Sequence, residues 1–124
     1  MKFCGNLHSH TEYSNIRLRD SINRISELID YAIELGHTCI AFTEHDCLSG
    51  HIKVEEYANK IKEKNPNFKV IRGNEIYLVR NGLNADNLTK EDKYYHFILL
   101  AKDAIGHQQI RELSTRAWLR SYTT

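Results

Sequence analysis

The sequence lacks three features that would place it in a specialised class of protein. Its 17 Lys and Arg residues nearly balance 16 Asp and Glu residues, so the net charge of +1 gives no indication of a polyanionic partner. No apolar run approaches the roughly 18 residues that a membrane helix needs. The N-terminus reaches Gly5, Asn6 and His8 before the apolar core of a signal peptide could form. We therefore expect a soluble, cytoplasmic protein that makes no membrane contact.

Cysteine is scarce and follows no metal-binding or disulfide pattern. Cys4, Cys39 and Cys47 show no C-x-x-C spacing, and an odd number argues against a disulfide framework. We expect the three cysteines to be reduced thiols that are buried or have no chemical role. A metal or redox role is the alternative. The remaining composition, 41% hydrophobic and 27% charged, is ordinary for one globular domain. The single excess is histidine, with seven residues.

Apolar periodicity predicts an alternation of strands and helices. Strand-length apolar runs occupy residues 3–7, 38–43, 68–79 and 94–101, with Gly73 as a candidate bulge in the third. The first helical stripe runs from Ile22 to Leu35, with the helix expected to start between Ser21 and Ser26 and to stop at Gly36. Two further stripes occupy about 51–64 and 103–118, and Asp103 supplies a cap for the last. The polar stretch 80–93 predicts a surface loop.

This order of elements is typical of an α/β fold in which βα units surround a mostly parallel sheet. A parallel barrel closes near eight strands, so four strands make either a small open sheet or the N-terminal half of a barrel. The chain stops inside a helical stretch at 120–124. We therefore expect the half barrel.

Polar side chains follow three consecutive strands of the predicted sheet. They are His8 and His10 after the first strand, Glu44, His45 and Asp46 after the second, and Glu75 late in the third. Because the carboxyl ends of parallel strands share one edge of a sheet, we expect these side chains to converge there. Imidazole and carboxylate together are the ligands of zinc, manganese and iron in proteins. The pattern predicts a metal site.

The other candidate residues are weaker when judged by pattern alone. Asp20 precedes Ser21 and is interpreted first as a helix cap. His96 would lie at the opening end of the fourth strand, away from the predicted cluster. We expect His51 and His107, which fall on helices, to be solvated.

Four stretches of the chain resemble, in order and spacing, the PHP (polymerase and histidinol phosphatase) family. They are Leu-His-Ser-His-Thr-Glu-Tyr-Ser at 7–14, Ile-Ala-Phe-Thr-Glu-His at 40–45, Gly-Asn-Glu-Ile-Tyr at 73–77 and Tyr-His-Phe-Ile-Leu-Leu-Ala-Lys at 95–102. Within this family, the chain specifically resembles the N-terminal PHP domain of the bacterial DNA polymerase III α subunit. This resemblance implies that residues 1–124 are the N-terminal part of a PHP domain, about half of a distorted (β/α)7 barrel.

The resemblance also implies a set of metal ligands: His8, His10, Asp20, His45, Glu75 and His96. In a complete domain, such ligands would bind two or three divalent ions, zinc, manganese or iron. Glu44 stands where the family usually has Asp beside the second-motif histidine, and its extra methylene would alter the support of His45. The family's later ligands have no counterpart after His96.

The function implied by the resemblance is that of a metal-dependent phosphoesterase or 3′-5′ exonuclease domain of a replicative polymerase. Its partners would be DNA, through the parent polymerase, and other replisome subunits. The 124 residues alone are expected to bind metal weakly, to be inactive, and to self-associate through exposed sheet edges. One alternative is a non-catalytic scaffold of the polymerase, with or without metal. A metal-dependent amidohydrolase is a further alternative, disfavoured because the third strand carries Glu75 instead of a bridging Lys.

Overall fold

A computed structural model describes residues 4–16, 18–19, 21–79 and 94–121. The strands are β1 (Gly5–Asn6), β2 (Cys39–Phe42), β3 (Lys69–Val79) and β4 (Tyr94–Leu100). The α-helices are α1 (Ile25–Glu34), α2 (His51–Ile61) and α3 (Ala104–Ser121), and a 3₁₀ helix covers Glu12–Ile16. Asp20 and the predicted loop at 80–93 lie outside the described residues.

The four strands form a curled α/β sheet in the order β1-β2-β3-β4, about half of a barrel. The pairs β1/β2 and β2/β3 are parallel, as predicted. The pair β3/β4 is antiparallel, which corrects the expectation of a fourth parallel strand. A parallel return would need a crossover connection, usually a helix, and the sequence between β3 and β4 carries no helical pattern. The chain therefore returns antiparallel to β3 and pairs with it as β4.

The core lies between α1, α2 and the buried strand β2. Its members are Ile25, Ile29, Ala32, Ile40, Phe42 and Val54. All four residues of β2 are buried, as the continuous apolar run predicted for a strand covered on both faces. This core fixes the position of β2, whose carboxyl end leads into the predicted site.

The first helix starts between Ser21 and Ser26, as predicted, but the first residue of its apolar stripe lies outside the helix. It begins at Ile25, so Ile22, expected on the buried stripe, lies before the helix and is 94% exposed. The stop at Gly36 is confirmed, because this residue adopts a φ of +76°. The N–H groups of Gly36 and His37 donate to the carbonyls of Ile33 and Ala32, the two bonds of a Schellman motif.

Strand β3 runs without interruption through Gly73, so the expected bulge is absent from the described ladder. Its pairing with β4 keeps one register from Gly73 to Val79. Glycine is required here by close approach, since a Cβ at Gly73 would lie 2.5 Å from the Leu99 carbonyl oxygen. The predicted cap of α3 is confirmed, because Asp103 accepts the N–H of Gly106 at 2.8 Å.

None of the helices in the described ranges combines the length and apolarity needed to cross a bilayer.

Candidate metal centre

The His8–His10 segment is held against the end of β2 by main-chain and hydroxyl contacts. The N–H of Thr43 donates to the Ser9 carbonyl at 3.0 Å, and the N–H of Ser9 donates to the Thr43 hydroxyl at 3.1 Å. Beyond β2, His45 forms an isolated parallel bridge with Glu75 of β3. These contacts bring the three strand ends together, as their order in the sequence predicted.

Glu75 lies at the centre of the resulting cluster. Its Oε2 is 3.0 Å from Nε2 of His8 and 2.9 Å from Nε2 of His10. The same oxygen is 3.2 Å from Nδ1 of His45, while Oε1 contacts Nδ1 of His96. Within the described part of the chain, His8, His10 and Glu75 form one group able to hold a metal ion, and His45, Glu75 and His96 form a second. The two groups share one carboxylate.

The antiparallel pairing of β4 brings His96 into this cluster, where the residue pattern alone had placed it at the far end. In an antiparallel pair, the start of β4 lies beside the end of β3. His96 pairs with Tyr77 and is therefore diagonal to Glu75 on the same face of the sheet. The position that the family resemblance implied for His96 is thus accounted for by strand direction.

The electrostatics of the cluster favour the forms that bind cations. Burial opposes ionisation of Glu75, but hydrogen bonds from His8 and His96 and the nearby His45 more than offset it, so the pKa of this carboxyl lies below its usual value. Burial, followed by the proximity of His45, lowers the pKa of His10. An ionised carboxylate beside a neutral imidazole is the state that metal ligation requires.

The donor atoms fit a divalent cation. Nε2 of His8, Nε2 of His10 and Oε2 of Glu75 lie within 3.0 Å of one another. Atoms that carry lone pairs approach this closely when a proton or a cation lies among them. Mixed imidazole and carboxylate donors suit zinc, manganese or iron.

One side of the cluster is open to solvent. The side chains of His8 and His96 are 51% and 48% exposed, whereas those of His45 and Glu75 are 9% and 5% exposed. A substrate can therefore approach from the side of His8 and His96 while the opposite side packs against the fold.

Glu44 is buried and reaches the segment that follows His10. Its carboxylate accepts the N–H of Thr11 at 3.0 and 3.1 Å and the Thr11 hydroxyl at 2.6 Å. It also accepts the hydroxyl of Ser14. The carboxylate predicted to support His45 thus contacts two residues that sequence reasoning did not single out.

Besides Thr11, two polar residues near the site, Ser14 and Asn74, were not indicated by the sequence pattern. The Asn74 amide donates to the carbonyls of Glu44 at 2.9 Å and Cys47 at 3.1 Å, which fastens the segment around His45 to β3. Ser14 carried one usable signal, its position four residues after His10 in a turn-like segment. Asn74 carried a weaker one, as a polar residue directly before Glu75 in an apolar strand.

Two histidines expected to be solvated contact each other outside the cluster, one of them buried and the other, His107, partly buried. His51 is only 5% exposed, and its Nε2 donates to the Gly73 carbonyl at 2.8 Å. Its Nδ1 must then accept, and it lies 2.9 Å from Nε2 of His107. The expectation was wrong because α2 begins at His51, and its first turn packs against β3.

Two of the three thiols are buried, as expected. Cys39 and Cys47 are buried and Cys4 is exposed. Burial raises the pKa of the Cys47 thiol, which donates to the Tyr13 carbonyl at 3.3 Å. Such a thiol is poorly reactive.

Comparison with known proteins connects this geometry to a family. A family model of the PHP domain matches residues 6–124. The probable DNA polymerase YorL of Bacillus subtilis is 39% identical over 122 residues, which cover 94% of this chain and 9% of that protein. The DNA polymerase III subunit alpha of Helicobacter pylori is 36% identical over 118 residues, again 94% of this chain and 9% of that protein. The chain spans about a tenth of the length of these relatives.

A solved structure shares the fold. A protein from Bifidobacterium adolescentis, described as a metal-dependent phosphoesterase, superimposes with a TM-score of 0.57 over 82% of this chain and 28% of that one. The sequence identity is 21%, so this likeness supports the architecture alone.

Proposed function

This chain belongs to the PHP domain family, and from that membership we propose that its histidine cluster is the metal site of a phosphoester-cleaving domain. The observation that carries the proposal is the carboxylate of Glu75, whose two oxygens face different histidines. His8 and His10 lie at Oε2, and His96 lies at Oε1. A carboxylate placed in this way suits a site with more than one cation.

The ligands in this proposal are His8, His10, His45, Glu75 and His96, with Asp20 added by resemblance to the family. Zinc, manganese and iron are the candidate metals, and a complete domain would hold two or three ions. Bound divalent ions would activate water near neutral pH and neutralise the phosphoryl oxygens of the substrate. No side chain of this chain then has to act as a nucleophile.

We propose a 3′ end of DNA as the substrate, and 3′-5′ exonuclease activity within a replicative polymerase as the setting. The support is that the curated relatives are DNA polymerases and DNA polymerase III alpha subunits. Residues 1–124 would be the N-terminal part of the PHP domain, with DNA and other replisome subunits as partners through the parent polymerase. The open side at His8 and His96 gives a strand end access to the cluster.

The 124-residue chain alone is expected to bind metal weakly and to show no hydrolase activity. The physical reason is that each of the two metal-binding groups is open to solvent on one side, where the side chains of His8 and His96 are about half exposed. The measurement is hydrolysis of p-nitrophenyl phosphate with manganese, with His10→Ala as the matched variant. Hydrolysis that disappears in His10→Ala would contradict the expected inactivity and would locate the activity in the cluster.

A non-catalytic scaffold within a polymerase is the second candidate. The observation that favours it is Glu44, which replaces the family's usual Asp beside His45. The family match itself favours phosphoester cleavage over the amidohydrolase alternative.

Elemental analysis and a nuclease assay on a single-stranded 3′ end would separate the first two candidates in the polymerase that carries this sequence. The phosphoesterase hypothesis requires that the polymerase both binds metal and cleaves the DNA strand. Glu75→Gln must then abolish metal binding and cleavage together. Metal without cleavage would favour the scaffold.

A further inference from the structure

Ser14 lies behind the histidine cluster, at the meeting point of three polar groups. It is fully buried in the 3₁₀ helix Glu12–Ile16, four residues after His10. Its hydroxyl oxygen is 3.0 Å from Nδ1 of His10 and 3.1 Å from the backbone nitrogen of His45, and it contacts the Glu44 carboxylate. One oxygen atom thus touches two of the predicted metal ligands.

The hydroxyl of Ser14 has one proton and two lone pairs, and the three contacts use all of them. Glu44 offers a carboxylate oxygen, which accepts, so the Ser14 proton is donated there. The backbone N–H of His45 donates into one lone pair of the Ser14 oxygen. The remaining lone pair faces Nδ1 of His10, which must therefore carry a proton.

The direction of the Ser14 hydroxyl is fixed because the other neighbours of Glu44 are also donors. The backbone N–H of Thr11 donates to both carboxylate oxygens, and the Thr11 hydroxyl donates to Oε1 at 2.6 Å. The carboxylate therefore acts as an acceptor toward Thr11 and Ser14 alike. A reversed Ser14 hydroxyl would point its lone pair at a buried carboxylate oxygen, which is a repulsive contact.

We propose that Ser14 and Glu44 are positioning residues that hold His10 in the Nδ1–H tautomer. In this tautomer, Nε2 of His10 keeps its lone pair beside Oε2 of Glu75, 2.9 Å away. Without a metal ion, the proton among these atoms is then carried by Nε2 of His8, which lies 2.9 Å from Nε2 of His10 and 3.0 Å from Oε2 of Glu75. This inference rests on the proposed function only in assigning that lone pair to a metal ion. A second ring nitrogen that donates to a fixed acceptor is the usual device for orienting a ligating histidine.

The same network gives a role to the longer side chain at position 44. From the end of β2, the Glu44 carboxylate reaches both Thr11 and Ser14, in the segment that carries His10. Through Ser14 it influences two ligands, the ring of His10 and the main chain of His45. The replacement of the family's Asp is then compatible with an intact site.

The tautomer of His10 can be measured directly in the metal-free 124-residue chain. Long-range ¹H–¹⁵N correlation NMR at about pH 8, where an ordinary histidine is neutral, distinguishes a protonated Nδ1 from a protonated Nε2. The proposal requires His10 to show a protonated Nδ1 and an unprotonated Nε2. A protonated Nε2 in the unmodified chain would overturn it without the need for any variant.

Two substitutions test the parts of the network separately. Glu44→Gln keeps the volume of the side chain and the Ser14 hydroxyl, but its amide can donate to Ser14 and release the Ser14 proton toward His10. Ser14→Ala removes the hydroxyl altogether. Both are expected to move His10 toward the Nε2–H tautomer. Thr38→Ala is the matched control, because it also removes a hydroxyl that donates to a main-chain carbonyl, that of Cys4 at 2.8 Å, but just before the start of β2, at the opposite end of the strand from His10. An unchanged tautomer in a folded Glu44→Gln chain would contradict the role of Glu44.

Metal affinity provides the second measurement. Titration of the chain with MnCl₂ is expected to show a loss of about 10- to 100-fold in affinity for Ser14→Ala, and no comparable loss for Thr38→Ala. Equal affinities for Ser14→Ala and the unmodified chain would contradict a positioning role. A protonated Nδ1 in a parent polymerase that cleaves no DNA would leave this inference standing and remove the proposed exonuclease function.

Discussion

Glu75 is the residue on which the candidate metal site depends most, because one buried carboxylate faces four imidazole rings. His45 and His8 help to lower the pKa of Glu75, and Glu75 in turn tends to raise that of His10. For His10, however, burial and the neighbouring His45 prevail. The site therefore combines an ionised carboxylate with a neutral ring near neutral pH, and acidification would make protons compete with any bound cation.

His51 should make the stability of the chain depend on pH. Burial is the main cause that lowers its pKa to about 4, and the neighbouring His107 and Arg72 act in the same direction. The unfolded chain binds a proton near the ordinary pKa of 6.5, so the stabilisation is present above that pH and is lost as the pH falls toward 4. The full loss amounts to about 3 kcal/mol. Urea unfolding at a series of pH values measures it.

The control for this prediction is a comparison between variants, because His10 and Glu75 in the cluster also have shifted pKa values. His51→Gln should flatten the pH dependence in this range, while His37→Gln, in the connection between α1 and β2, should retain it. The charged neighbours that act on His51 and His107 are Arg72, Arg111, Glu55 and Glu44. An identical slope for His51→Gln and the unmodified chain would show that His51 does not cause the dependence.

At the residue scale, the sequence indicated the histidines and the carboxylate of the cluster more readily than the polar residues behind them. His8, His10 and Glu75 were predictable because metal-ligand types at strand ends form a pattern along the chain. Ser14 and Asn74 act through contacts with Glu44, thirty residues away in each case, and their residue types are common in turns and strands. Only the folded arrangement distinguishes them from ordinary polar residues.

At the scale of elements, strand positions were predictable but the direction of β4 was not. Alternating apolar runs and helical stripes located β2, β3, α1 and α2 within a few residues. The direction of β4 depends on the connection between β3 and β4, which has no apolar pattern of its own. Strand direction mattered for the site, since it decides which end of β4, and hence whether His96, lies beside Glu75.

Gly73→Ala should separate β3 from β4. A Cβ at this position would lie 2.5 Å from the Leu99 carbonyl oxygen and 3.0 Å from side-chain atoms of Leu100 and Thr43. Backbone cannot yield as a flexible side chain does, so we expect a destabilisation of about 2–3 kcal/mol. Urea unfolding measures the stability, and manganese titration should show weaker binding because Glu75 and His96 sit on the two separated strands.

Gly106→Ala is the matched control, since its Cβ would meet only ordinary contacts, at 3.6 Å or more, inside α3. Alanine replaces glycine favourably in a helix, by up to about 1 kcal/mol. The control should therefore be neutral or stabilising. Equal stability of Gly73→Ala and the unmodified chain would refute the close approach of the two strands.

At the scale of the whole molecule, the half barrel leaves apolar side chains exposed to solvent. β4 is an edge strand of the described sheet, and Tyr94, Tyr95 and Phe97 on it are 62%, 54% and 48% exposed. On α3, Ile105 and Leu113 are also more than half exposed. A long strand with an unpaired edge and exposed aromatic side chains can pair with another chain.

We therefore expect the 124-residue chain to self-associate through the edge of β4. Size-exclusion chromatography with light scattering should show a mass that rises with protein concentration. The double substitution of Tyr95 and Phe97 by Lys should restore the monomer, because charged side chains on an edge oppose strand pairing. Ile52→Lys is the matched control, since Ile52 is 71% exposed on α2 and its replacement should leave association unchanged. A monomeric mass for the unmodified chain at every concentration would contradict this expectation.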